Sequence, residues 1–420
     1  MPNGASRRGF AIGAGSARDV LIATAIAGGS GYVITVTAGA ALGREAYLPF
    51  AAFWSALYFV VGALAGVQHE TTRASRPVSA GTRTHTGTRA RSIFLLTAAG
   101  TLVLLVTSAP VWVNRVFEEH GAALLAPVLV GAVGYVAIAV TSGVLAGLGS
   151  WRLVAVVSIA DALARLTCVG IALAFTRDVI ILAWCVAAPF GAVGLAVAWV
   201  ITRAARGRYV IDAPLPRLAW NATRTVVSGA AMGVLITGFP ALLAATSSTS
   251  EARTVTSLIF VSNLVRSPLI VLTMAFQVML VQRFRDAATP LASVIKLLVA
   301  LVATGSILTV AVALVGPWTL DAVFGGEYVL SAGQMALLVG SATPSAALFV
   351  TGAALLAKER HGAYVTGWIL AAAAATAALV WAPSLMAGVA GAVLVAPVLG
   401  LIVHAFALFP ARTVSVVEGS

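Results

Sequence analysis

Twelve apolar runs follow one another along this chain, and the connections between them are alternately rich in arginine and nearly free of it. A helix needs about 20 residues to cross the ~30 Å hydrocarbon core of a bilayer. The runs fit crossings at roughly 19–41, 47–68, 93–113, 122–148, 153–175, 179–201, 224–246, 255–280, 292–314, 332–357, 362–381 and 386–408. The last two come from one stretch, His361 to Ala411, that lacks Asp, Glu, Lys and Arg; it is divided at Ala382-Pro383-Ser384, where proline disfavours continued helix.

The bases test this map independently. One set of connections holds Arg7, Arg8 and Arg18; Arg73, Arg76, Arg83, Arg89 and Arg91; Arg152; and Arg203, Arg206, Arg208, Arg217 and Arg224. The same set continues with Arg283, Arg285 and Lys296; Lys358 and Arg360; and Arg412, whereas the alternate connections hold only Arg44, Arg115, Arg177 and Arg253. Because basic loops stay in the cytoplasm, both termini are expected there, and a miscount of one crossing would scramble the alternation. Arg165 and Arg266 are left inside the membrane.

Composition agrees: 60% of residues are hydrophobic and 10% charged, and the mean hydropathy is +1.00, outside soluble-domain statistics. The net charge of +12 sits beside crossings, where it sets orientation and meets anionic headgroups, so no nucleic acid is expected as a partner. Cys168 and Cys185 fall in crossings and read as small apolar fillers, and no disulfide, metal site or cofactor is expected. Ser6-Arg7-Arg8-Gly9-Phe10 has the look of a twin-arginine export signal, but Arg18 and Asp19 interrupt the apolar segment that should follow, so it reads as a basic cytoplasmic tail. Only Lys296 and Lys358 are lysines, and Ala, Val and Gly abound, which suits a GC-rich bacterial genome and a multi-pass protein of the cytoplasmic membrane.

The expected fold is all-α and integral to the membrane, with about twelve helices in two pseudo-symmetric six-helix bundles around a central cavity. The bundles are assigned to 1–203 and 222–420, joined by a cytoplasmic linker at 204–221. The longer basic segments, about 69–92 and 202–223, lack an apolar face and read as solvated linkers. The halves echo each other. Val116-Phe117 precedes a run ending Ser142-Gly143-Val144-Leu145-Ala146 and a turn with Trp151-Arg152; Val323-Phe324 precedes one ending Thr351-Gly352-Ala353-Ala354-Leu355 and a turn with Lys358-Glu359-Arg360. Such duplication is the mark of transporters built from repeats. Gly28-Gly29-Ser30-Gly31 and Gly238-Phe239-Pro240 should interrupt the first helix of each half.

A charge at mid-bilayer costs about 2.5–3.5 kcal/mol on insertion scales, so those that persist face a cavity or a partner. At 100° per residue, Ser262, Asn263, Thr273 and Gln277 fall on the same helix face as Arg266, and Pro268 follows closely. The stripe suits either an anion-binding arginine in a hydrated cavity or an arginine salt-bridged to a neighbouring helix. Asp161 and Arg165, at i and i+4, form either a local ion pair or part of a coupling or gating site. Arg18 and Asp19, with Glu70 and Arg73, lie at helix ends where they either snorkel or rim a cytoplasmic cavity.

Across nearly its whole length the chain resembles the polysaccharide flippases of the multidrug, oligosaccharidyl-lipid and polysaccharide exporter (MOP) superfamily. The likeness is carried by Leu42-Gly43-Arg44-Glu45-Ala46-Tyr47 between the first two crossings, Gly143-Val144-Leu145-Ala146-Gly147 ending the fourth, and Phe324-Gly325-Gly326-Glu327-Tyr328 before the tenth. The resemblance implies passage of a polyprenyl-diphosphate-linked oligosaccharide to the outer leaflet by alternating access, for cell-surface polysaccharide synthesis, without enzymatic chemistry. It implies membrane lipids and a polysaccharide polymerase or ligase as further partners. Arg266 would hold the diphosphate, with Asn263 and Gln277 hydrogen-bonding sugar hydroxyls and Ser262 and Thr273 lining the same site. Twelve crossings, not the fourteen of lipid II flippases, argue against a peptidoglycan precursor. Three other readings stay open: a non-transporting membrane scaffold; a cation-coupled drug exporter of the same superfamily, which would favour cavity carboxylates; and a membrane glycosyltransferase or polymerase, which would need catalytic groups on a substantial outer loop. The candidate for the last is Glu118-Glu119-His120, which reads as a solvated turn.

Overall fold

A computed structural model describes residues 14–78, 89–204, 209–211, 213–266, 269, 280, 281, 283–285 and 290–409. Among these residues, eight helical stretches are long and apolar enough to cross a membrane, or nine with the broken pair Leu215–Ile236 and Phe239–Thr246. Two of them, of 57 and 58 residues, would be about 86 Å long if straight, nearly three times the hydrocarbon core. Both fold back. In α1 (Ala14–Ala74) the turn is at Gly43, whose φ of 68° is in the left-handed region that glycine tolerates. The return brings Trp54 to 3.5 Å from where a Cβ on Gly31 would lie, although 23 residues of straight helix would hold the two about 35 Å apart. In the second stretch, α2 (Ala90–Phe117) and α3 (Gly121–Gly147) are joined by a single 3-10 turn over Glu118–His120 and pack on one another. With these doublings each expected crossing has a helical counterpart, the eighth described continuously as far as Arg266.

Tertiary contacts divide the chain into two compact units, Met1–Gly233 and Val234–Ser420. In the first, α3 is the central post: α1, α2 and α5 (Val179–Ala204) pack on it, and α4 (Trp151–Phe175) packs on α1 and α5. Close approach is built into α3. A Cβ on Gly134 would lie 2.4 Å from the Gly191 nitrogen, so only hydrogen lets α3 and α5 cross there. Leu57, Thr71 and Ser75 similarly lie over Gly131, Gly143 and Gly147.

Three expectations are corrected here. Gly28-Gly29-Ser30-Gly31 does not interrupt α1, which is helical throughout that segment, because in hydrocarbon no water competes for the i→i−4 bonds. The long basic segments are not wholly solvated: β1 (Ser75–Pro77) pairs antiparallel with β2 (Tyr209–Ile211), burying Ser75 and Ile211, and α6 (Leu215–Ile236) already begins inside the second segment. The thiol of Cys168 is not a buried filler; Cys168 is exposed on α4.

The second unit begins within α6, followed after Thr237 and Gly238 by α7 (Phe239–Thr246) and α8 (Ala252–Val261). The break expected at Gly238-Phe239-Pro240 is present, with Pro240 in the first turn of α7, where it has no N–H to return to a carbonyl of α6. Then come α9 (Pro290–Phe324), α10 (Ala332–Gly340), α11 (Ala342–Ala357), α12 (His361–Trp381), α13 (Leu385–Ala390) and α14 (Ala396–Leu408). Packing of α14 on α11 and α12, and of α9 on α10 and α11, makes the core of this unit. Outward-facing Val299, Ile307, Leu314 and Trp318 on α9 are the apolar coat that a bilayer requires.

The internal echo is visible in hydrogen bonds. After α3, Ser150 N–H donates to the Leu145 carbonyl at 2.9 Å; after α11, Arg360 N–H donates to Leu355 at 2.9 Å. Both turns pass through a left-handed residue, Gly149 (φ 73°) and Glu359 (φ 59°), giving the same helix-ending motif. The hydrogen bonds pair Leu145 with Leu355, one residue out of the register that the matched glycines suggest, because the turn and not the glycine fixes the equivalence.

Candidate functional site

Arg266 ends a single π-helical turn, Ser262–Arg266, that follows α8. Such turns carry an extra residue and are frequent at functional sites. The wider turn also breaks the 100° spacing on which the polar stripe was drawn. Ser262 is buried, Asn263 is half-buried, and Thr273, Gln277 and Pro268 lie outside the described residues.

The Arg266 guanidinium is enclosed, with the residue 2% exposed. Its Nη2 donates to the Leu235 carbonyl at 3.1 Å and to Ser345 Oγ at 3.2 Å, and its Cζ lies 5.7 Å from the Phe239 ring centroid. Nε is buried without a hydrogen-bond partner among the described residues. The Leu235 contact has a local cause. A helix leaves its last four carbonyls unpaired and carries partial negative charge at that end, and α6 ends at Ile236 because of the break before Pro240. Arg266 caps that end. Among the described residues no carboxylate is a partner of Arg266, so its charge is met by a backbone dipole, a hydroxyl and an aromatic face.

Asp161 and Arg165 meet as their spacing suggests, Nη2 to Oδ2 at 2.5 Å within α4. The guanidinium lies 4.1 Å from the Phe190 ring centroid and 5.6 Å from that of Tyr58. Tyr58 stacks on Trp54 at 4.5 Å, and Tyr135 meets Phe190 edge-on at 5.8 Å. The α3–α5 crossing at Gly134 places Tyr135 beside Phe190.

At the end of α1, Glu70 accepts from Arg73 Nε at 2.8 Å and Nη2 at 2.5 Å, and from Asn221 Nδ2 at 3.0 Å. Thr225 Oγ1 donates to the Gly66 carbonyl at 3.0 Å, so α6 is fastened to α1 at two points. Arg73 remains 58% exposed by side chain. Arg18 is exposed and Asp19 half-buried at the start of α1. The structure thus joins Glu70 to Arg73, and Asp161 to Arg165.

Sequence reasoning missed the aromatic cluster, the Leu235 and Ser345 contacts, and His404. His404 is fully buried, with Nδ1 2.9 Å from Thr351 Oγ1 and Nε2 3.3 Å from the Tyr364 carbonyl. Stacked aromatics four apart, Trp54 and Tyr58, were the available signal for the first; the others depend on tertiary packing. A cavity of about 420 Å³ lined by Gly305, Ser306, Thr309, Gly340 and Thr343 lies in the second unit and does not include Arg266. Among the described residues, no three His, Cys, Asp or Glu side chains are grouped to hold a metal.

No protein-family model matches the chain. The uncharacterized protein Rv3630 of Mycobacterium tuberculosis is 32% identical over 419 residues, spanning 96% of this chain and 94% of its own length. The uncharacterized protein Rv1510 of the same species is 31% identical over 405 residues, spanning 94% and 92%. Among solved structures, the lipid II flippase MurJ in an inward closed conformation superposes with a TM-score of 0.65 at 10% identity, covering 92% of this chain and 87% of that one. A multidrug resistance MATE family transporter of the MOP superfamily, in its inward-facing conformation, gives 0.62 at 13% identity, covering 91% and 93%. At these identities the structural likeness is one of fold. The chain belongs to the family of these mycobacterial proteins and has the fold of the MOP-superfamily transporters.

Proposed function

We propose that this protein is a flippase that carries a polyprenyl-diphosphate-linked oligosaccharide across the bacterial cytoplasmic membrane by alternating access. Its termini and basic loops lie in the cytoplasm, and a polymerase or ligase takes the product on the far side. The observation that carries the reading is Arg266, a buried cation whose partners are neutral. Guanidinium forks match phosphate oxygens and stay charged, and charge-assisted hydrogen bonds are roughly twice as strong as neutral ones. A diphosphate therefore displaces the Leu235 carbonyl and the Ser345 hydroxyl, and also engages the unspent Nε. With the head enclosed, loading requires the π-turn to move away from the α6 end, and the Thr237–Gly238 break is the point where α6 and α7 bend. The lipid tail stays in the bilayer throughout, no covalent bond changes, and Ser262 and Asn263 on the same turn face the sugar.

The fold of a MATE transporter keeps a drug exporter as the second reading. An uncompensated arginine repels the organic cations such exporters favour. The test is depletion of the protein in its own host followed by analysis of lipid-linked intermediates. Build-up of a polyprenyl-diphosphate oligosaccharide in the cytoplasmic leaflet is the expected result. Normal lipid pools with increased sensitivity to cationic drugs would move the assignment to the exporter.

A further inference from the structure

The Asp161–Arg165 pair is bonded at one end only. A forked contact would use both carboxylate oxygens, but here Oδ1 of Asp161 and Nη1 of Arg165 are buried without hydrogen-bond partners among the described residues. The residues are 8% and 6% exposed, so water does not compensate and each unsatisfied group stays desolvated. The pair thus holds a free acceptor and a free donor on joined groups. Beside it lie Tyr58, stacked on Trp54, and Tyr135; all three are half-buried and keep some exposed aromatic surface, whereas the pair and Phe190 are buried, so a ligand reaches the pair only when the cluster parts. Arg165 Cζ is 5.6 Å from the Tyr58 ring and 4.1 Å from the Phe190 ring that Tyr135 meets at 5.8 Å, which places the pair and the two tyrosines in one locus.

An aromatic platform next to a paired acceptor and donor is complementary to one ligand class. The apolar C–H face of a pyranose packs on an aromatic ring, while two vicinal hydroxyls engage the polar pair, one donating to the carboxylate and the other accepting from the guanidinium. A free anion is opposed by Asp161, and a free cation by Arg165. We propose that Trp54, Tyr58, Tyr135, Asp161 and Arg165 form a subsite in the first unit for a sugar ring with a vicinal diol. This rests on the flippase reading for the origin of the sugar, which is a residue of the lipid-linked oligosaccharide, but the subsite is tested without lipid or diphosphate.

The experiment is saturation-transfer difference NMR on the full chain in lipid nanodiscs, free of sugar detergents. The probe is methyl α-D-mannopyranoside, with its 3-deoxy analogue, which has no vicinal pair of free hydroxyls, as the comparison. The proposal expects transfer to the ring protons of the mannoside, with the 3-deoxy analogue about tenfold weaker. Trp54→Leu, which leaves the ion pair intact, is expected to raise the dissociation constant about tenfold. Asp161→Asn, close in shape to the native side chain, is expected to do the same, and Trp220→Leu on the exposed face of α6 to leave binding unchanged. No transfer to either sugar in the wild type overturns the proposal, as does equal transfer in wild type, Trp54→Leu and Asp161→Asn. Failure here leaves the lipid-accumulation test standing, because that test reads translocation and this one reads sugar binding alone.

Discussion

The two halves of this chain end their matching helices in the same turn, yet they treat their buried arginine in opposite ways. In the first half Arg165 has its counter-charge one helical turn away, on its own helix. In the second half Arg266 has none among the described residues and rests on a helix end, a hydroxyl and a ring. A local pair costs less to insert and carries no net charge, so it suits a neutral ligand. An uncompensated guanidinium costs more and persists where an anion repays it. Under the proposed flippase reading, the contrast divides between the two sites the work that a sugar-diphosphate cargo would require.

The sharpest way to break this contrast is to turn the first site into the second. Asp161→Ala strands the Arg165 charge and is expected to cost about 3–5 kcal/mol, read as a fall in melting temperature of the purified protein. Asp161→Leu with Arg165→Met removes both charges and should recover most of that loss. A double variant as unstable as the single one would mean that packing, not charge, holds the site. Next in size is Gly134→Val, which drives a side chain into the Gly191 backbone and displaces Tyr135 from Phe190, at about 1–3 kcal/mol. An unchanged melting temperature would contradict the close α3–α5 crossing.

The shared turn offers a test of the repeat itself. Gly149 adopts its left-handed φ without strain, whereas Glu359 adopts the same region with a Cβ. Glu359→Gly is expected to stabilise the protein by about 1 kcal/mol, and a loss of stability would show that the two turns are not equivalent. Arg266→Gln should change stability least, within about 1 kcal/mol, because the charge it removes has no ionic partner among the described residues and glutamine can still donate to Leu235 or Ser345. A fall as large as that of Asp161→Ala would reveal a structural role for Arg266.

What the sequence made legible follows from the range of the forces involved. The crossings, the i,i+4 pair Asp161–Arg165 and the break before Pro240 are set by local spacing and hydropathy, and they were read from it. Arg266 stood out because a charge within an apolar run is costly wherever its partner lies. Its partners did not, since Leu235 and Ser345 are distant in sequence and the π-turn shifts the helical phase. The pairing of Ser75–Pro77 with Tyr209–Ile211 was equally hidden, as three-residue strands leave no periodic trace. Gly28-Gly29-Ser30-Gly31 misled in the other direction: a glycine-rich composition weakens a helix in water, but a helix in lipid keeps its hydrogen bonds.

The most direct measurement is translocation of a polyprenyl-diphosphate oligosaccharide in proteoliposomes carrying wild-type protein or Arg266→Gln at equal density. The account predicts that the wild type moves the lipid to the opposite leaflet, while the folded variant of unchanged melting temperature does not. Transport by Arg266→Gln at the wild-type rate would contradict it, because the one buried charge without an ionic partner among the described residues would then have no part in moving the cargo.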